Sequence, residues 1–126
     1  KEFGHDLVGT SISVEKFPLL VKLINSKGKL SVQVHPGDEY AAQHENSLGK
    51  TEAWYVVSAK PGAKLIVGTK NCDKAVFAKS IEEGRCEDYL NIIEVNKGDC
   101  FLINSGLVHA ICEGIISVQL KATSNL

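Results

Sequence analysis

With 126 residues, 44% hydrophobic side chains and a formal net charge of −1, the chain is sized for one folded domain that buries roughly two thirds of its unfolded surface. This balance excludes disorder, and scattered lysines with no basic aromatic patch exclude a nucleic-acid partner. No apolar run reaches membrane-spanning length and no charged, apolar and small-residue leader opens the chain, so no membrane partner is expected and the cytoplasm is the expected compartment.

Residues 1–16, with His5, lack clean periodicity and read as a loosely attached lead-in; residues 17–126 form the expected domain. Phe17 to Ile24 reads as a strand buried on both faces and interrupted by Lys22. An unpaired ammonium there is costly. Either its stem packs while the head reaches solvent, or the head meets an anion; Ser31 on the neighbouring strand puts the anion at least level with the first. Asn25-Ser26-Lys27-Gly28 turns the chain, and Leu30 to His35 returns as a strand. Side chains alternate along a strand, so Ser31, Gln33 and His35 share one face while Val32 and Val34 pack on the other.

Asp38 to Asn46 is predicted as a short helix, with Asp38 or Gly37 near its cap and His44-Glu45 at a solvated end. Glu52 to Ser58 is a strand; Lys50 and Glu52 alternate on one face, and Trp54 continues it as core or rim packing. Lys60-Pro61-Gly62 is a turn, Lys64 to Val67 another strand, and Asp73 to Glu83 the strongest helix. Tyr89 to Val95, Cys100 to Ile103, Val108 to Cys112 and Ile115 to Leu120 are short strands punctuated at Asn96-Lys97-Gly98 and Asn104-Ser105-Gly106. Many short strands between glycine turns predict a closed sandwich or barrel. Cys72, Cys86, Cys100 and Cys112 contain no Cys-x-x-Cys pair and read as reduced, with Cys100 and Cys112 as buried thiols.

A strand face given to a hydroxyl, an amide and an imidazole does more than build a core. Adding Glu52 and His109 yields four candidate ligands, Gln33, His35, Glu52 and His109, an N/O set suited to a borderline divalent ion such as zinc. The run from Gly98 through Asn104 and Gly106 to His109 has the spacing of the second metal motif of the cupins, with asparagine where proline is usual. Asparagine also suits a turn.

Several ordered segments carry a broader resemblance: Phe17-Pro18-Leu19-Leu20-Val21-Lys22, Leu30-Ser31-Val32-Gln33-Val34-His35-Pro36, Asp38-Glu39-Tyr40-Ala41, Gly49-Lys50-Thr51-Glu52-Ala53-Trp54-Tyr55, and Lys97-Gly98-Asp99 leading to Val108-His109-Ala110. Together they resemble the type I phosphomannose isomerases, zinc-dependent cupins that interconvert mannose 6-phosphate and fructose 6-phosphate. The resemblance implies an all-β, cupin-type jelly-roll barrel with one or two short helices. It implies one zinc held by Gln33, His35, Glu52 and His109, Lys50 beside the metal as the catalytic candidate, and Lys22 and Ser31 along the path of a phosphorylated hexose. Gln119 stands where the family commonly has glutamate and Asn125 where it has aspartate; the family's Thr-Tyr-Arg segment is not reached before Leu126. A core fragment of a longer isomerase, weakly active or inactive alone, is the resulting expectation. The alternatives are a non-catalytic metal-dependent sugar-binding cupin and a redox, dioxygenase-like metal cupin, against which the amide of Gln33 argues.

Overall fold

Alternating side chains over short, glycine-punctuated segments produce a β-rich fold in the computed structural model of this chain, which describes residues 3–11, 17–44 and 49–122. Residues 12–16 of the expected lead-in, Glu45 and Asn46 of the expected helix, and Asn125 lie outside the described residues. One sheet contains β1 (Leu19–Ser26), β7 (Ile115–Ala122), β2 (Glu52–Ala59) and β5 (Cys100–Ile103), in that spatial order. The other orders β4 (Leu90–Glu94), β3 (Lys64–Thr69) and β6 (His109–Ile111). All strand pairings are antiparallel.

The inner faces of the two sheets meet over Trp54, Val56, Leu65, Val95, Ile103, Ile111 and Ile115, all buried. A smaller cluster of Ile66, Leu90 and Ala110 lies beneath Phe77, which comes from helix α3 (Lys74–Glu82). Asp73 caps that helix through Oδ1, which accepts from the Val76 backbone N–H at 2.8 Å, the bond that N-terminal helix donors need. Helix α2 (Asp38–His44) is the second helix expected. A further short helix, α1 (Gly4–Val8), occupies part of the lead-in.

Three expectations are corrected. β1 is not buried on both faces: Leu19, Val21 and Leu23 point outward and are exposed, Leu23 by 73%. The segment from Leu30 to His35 is not a regular strand. β6, its neighbour, has only three residues, so the shared hydrogen bonds are limited to Leu30 N–H to the Ile111 carbonyl and a reciprocal pair between Gln33 and His109. Val32 and Val34 are accordingly exposed rather than packed. Cys100 is also exposed, because the two-residue period of β5 turns Phe101 and Ile103 inward and Cys100 and Leu102 outward. All four cysteines are free.

Candidate functional site

The four-stranded sheet presents polar side chains on the inner face at one end. Strand register sets them in two rungs. Lys22 on β1 is opposite Gln119 on β7, which is opposite Trp54 on β2. In the next rung Leu20 is opposite Lys121, and Lys121 is opposite Glu52. Glu52, Trp54 and Gln119 are buried. Lys22, Ser31, Gln33, Lys50, Glu52 and His109 all line one cavity of about 150 Å³ at this end.

His35, Glu52 and His109 converge so that one donor atom from each lies within 4.8 Å of the others. Each is held by its own element. Glu52 opens β2, and its Oε2 accepts from the indole N–H of Trp54 at 2.8 Å. His109 opens β6; its backbone exchanges hydrogen bonds with that of Gln33, at 2.8 and 2.9 Å. Its Nδ1 lies 2.7 Å from the Leu107 carbonyl, so the Nδ1–H tautomer leaves Nε2 as the available donor to a cation. The His35 carbonyl accepts the Gly106 N–H at 2.7 Å. Gly106 occupies a left-handed turn conformation with φ of 82°, which glycine adopts without strain. The two imidazole rings lie 4.7 Å apart, and Trp54 meets His109 edge-on at 5.4 Å.

Gln33 Nε2 donates to Ser31 Oγ at 2.8 Å, which leaves the amide oxygen as its remaining polar atom. Lys50 bridges the centre: its Nζ lies 2.9 Å from Glu52 Oε1 and 3.1 Å from His35 Nε2. A positive charge thus already sits where two of the donor atoms meet. Lys50 is delivered there by Gly49, whose N–H donates to Asp38 Oδ1 at 2.7 Å. A Cβ on Gly49 would lie 2.5 Å from the Asp38 backbone nitrogen, so no larger residue fits this approach.

The protonation states are those a metal ligand needs. Burial raises the Glu52 carboxyl, but hydrogen bonds from Lys50 and Trp54, with the charge of Lys50, outweigh it and hold the group below its ordinary range. Burial, then the charges of Lys50 and His109, lower His35 and favour its neutral, donor form. Burial and the nearby Lys50 and Lys22 charges likewise lower Lys121. A buried, hydrogen-bonded carboxylate with two imidazoles fits a divalent ion of zinc type.

Of the site residues expected from sequence, His35, Glu52 and His109 form this group, Lys50 and Gln33 contact it, Ser31 reaches it only through Gln33, and Lys22 sits one rung away facing the same cavity. His44 is at an exposed helix end, stacked on Tyr40, and His5 is exposed in α1. Sequence reasoning missed Lys121 and the indole donor of Trp54. Both share the two-residue parity of their strands with Gln119 and Glu52, a signal already present in the order of residues.

No protein-family model matches the chain. Mannose-6-phosphate isomerase ManA of Bacillus subtilis is 42% identical over 112 residues, covering 88% of this chain and 36% of that protein. The mannose-6-phosphate isomerase of Streptococcus mutans is 42% identical over 121 residues, covering 96% of this chain and 38% of that protein. The crystal structure of the Bacillus subtilis mannose 6-phosphate isomerase superposes with a TM-score of 0.88 at 34% identity, covering 98% of this chain and 40% of that one. The chain therefore spans little more than a third of the length of these relatives, and the expected resemblance and cupin-type fold are both borne out over that span.

Proposed function

We propose that this chain carries the metal centre of a mannose-6-phosphate isomerase, an enzyme interconverting mannose 6-phosphate and fructose 6-phosphate. The observation that carries the reading is the convergence of His35, Glu52 and His109 within 4.8 Å, in a cavity also lined by Lys22, Ser31 and Lys50. Similarity to proteins of that name over most of the chain supports it. No observation favours a redox or purely sugar-sensing cupin.

One zinc per chain would be held by Nε2 of His109, a ring nitrogen of His35, the Glu52 carboxylate and the Gln33 amide oxygen. When bound, the ion polarises the sugar carbonyl and stabilises the charge that develops on its oxygen. The protein does the rest. Trp54 and Lys50 orient Glu52, and the Gln33–His109 backbone pair holds two ligands in register. The isomerisation moves a proton between the first and second sugar carbons through an enediol, so a nearby group must accept and return it. Lys50, beside the ligand cluster, is the residue we assign to that position, a role that its neutral amine, not its ammonium, would fill. Ser31 and Lys22 line the approach of the phosphorylated hexose.

The test is binding and conversion of mannose 6-phosphate by the zinc-loaded protein, followed by titration and a coupled assay, beside metal analysis of His109→Ala. Zinc uptake, binding of mannose 6-phosphate that a chelator abolishes, turnover weak or at background, and a sharp fall in zinc affinity in the variant are expected. No binding of mannose 6-phosphate by the zinc-loaded protein would overturn the isomerase reading, and full zinc affinity in His109→Ala would overturn the ligand set.

A further inference from the structure

Lys22 and Lys121 point inward from adjacent antiparallel strands. Lys22 is opposite Gln119, and Lys121 lies two residues further along the same strand. That diagonal relation separates their backbones by about 7–8 Å, near enough for two long side chains to meet on one ligand. Both are partly buried. Neither has a hydrogen-bond or ion-pair partner among the described residues.

Glu52, opposite Lys121, does not neutralise it. One carboxylate oxygen already accepts from Lys50 at 2.9 Å and the other from Trp54 at 2.8 Å. Lys22, Lys50 and Lys121 thus share one inner face with a single carboxylate whose oxygens are engaged. Gln119, between Lys22 and Trp54 in its rung, brings an amide rather than a charge. This face of the site has an excess of positive charge, and two of its three ammonium groups have no partner.

We infer that Lys121, together with Lys22, forms the seat for the phosphate dianion of the sugar substrate, at the β1–β7 side of the site. This rests on the isomerase reading for the identity of the ligand, but the anion preference stands on the lysines alone. A dianion would take one charge-assisted hydrogen bond from each ammonium, and would leave the sugar carbons directed toward Lys50 and the ligand cluster. Lys121 is a binding and positioning residue; it has no part in the proton transfer.

Titration calorimetry on the zinc-loaded protein tests this with inorganic phosphate, fructose 6-phosphate and unphosphorylated fructose. Lys121→Gln should weaken binding of both phosphate ligands about tenfold, the scale of one lost charge-assisted hydrogen bond at a partly exposed site, while zinc content and fructose binding stay as in the parent. Lys121→Arg, which keeps the charge, should restore most of the affinity. Phosphate affinity within twofold of the parent in Lys121→Gln would overturn the inference. So would loss of zinc in step with loss of phosphate, which would make Lys121 a support for Glu52 instead. Lys121-dependent binding of inorganic phosphate with no zinc-dependent gain for fructose 6-phosphate keeps the seat and removes the isomerase reading. Zinc-dependent binding of fructose 6-phosphate that is indifferent to Lys121 does the reverse.

Discussion

Trp54→Phe isolates the hydrogen bond that orients Glu52. The substitution keeps an aromatic ring in a position that is only 4% exposed and removes the indole N–H. That N–H lies 2.8 Å from Glu52 Oε2, in a pair buried from solvent. A hydrogen bond to a charged group contributes about 1.5–3 kcal/mol, and leaving a buried acceptor unpaired makes the loss tend to the upper end. At about 1.4 kcal/mol for each factor of ten, zinc affinity should fall roughly 10- to 100-fold. Loss of the donor also removes one of the effects opposing burial at Glu52, so its carboxyl should move up from its lowered position. Competition with a chromophoric chelator at fixed pH measures the affinity of the folded variant. Repeating it at lower pH should widen the gap from the parent, because a less acidic Glu52 takes up protons sooner. Zinc affinity within twofold of the parent, with the fold retained, would show that the indole bond does not hold the ligand.

Gly49→Ala should lower stability by about 1–3 kcal/mol, the usual scale of a forced contact with backbone, since the new Cβ meets the Asp38 nitrogen at 2.5 Å; a denaturant midpoint equal to the parent's would refute the close-approach argument. The metal-free protein should lose stability as pH falls below His35's ordinary value of 6.5. The folded state holds His35 below that value, so the unfolded chain binds the proton first and acid favours unfolding. Glu52 adds a second loss below its ordinary value of 4.5, with the same sign because its folded pKa is also lowered. Urea midpoints from pH 7.5 down to 4 should decline in that order, and a flat profile would contradict both assignments.

The periodicity of the sequence carried the strands well: β2, β3, β5 and β7 begin where the apolar alternation begins. Asp73 marked the start of α3 because a capping carboxylate precedes a helical run. The candidate ligands were legible by residue type, since few uses compete for Gln-x-His beside a turn-bound histidine. Contacts across strands were not. Which strand lies beside β1 depends on the chain returning from β7, near the far end, so neither the pairing of Lys121 with Glu52 nor the outward turn of Leu19, Val21 and Leu23 could be read locally. The Leu30–His35 segment has the alternation of a strand, but β6, beside it, is too short to continue the ladder. Trp54 was read as packing, which it is; its donor role needs Glu52 on the same face two residues away.

The reciprocal backbone bridge between Gln33 and His109 makes the centre a property of the whole topology. Its donor groups arrive from an early loop, the start of β2 and the start of β6, with β3, α3, β4 and β5 in between. Closing so long a stretch of chain carries an entropic cost that no short segment could offset. A peptide cut from any one region would therefore fail to reproduce the site. In a preparation of this protein, stoichiometric metal uptake would accordingly count correctly assembled molecules, serving as a quality gauge that secondary-structure spectroscopy, blind to strand order, does not supply.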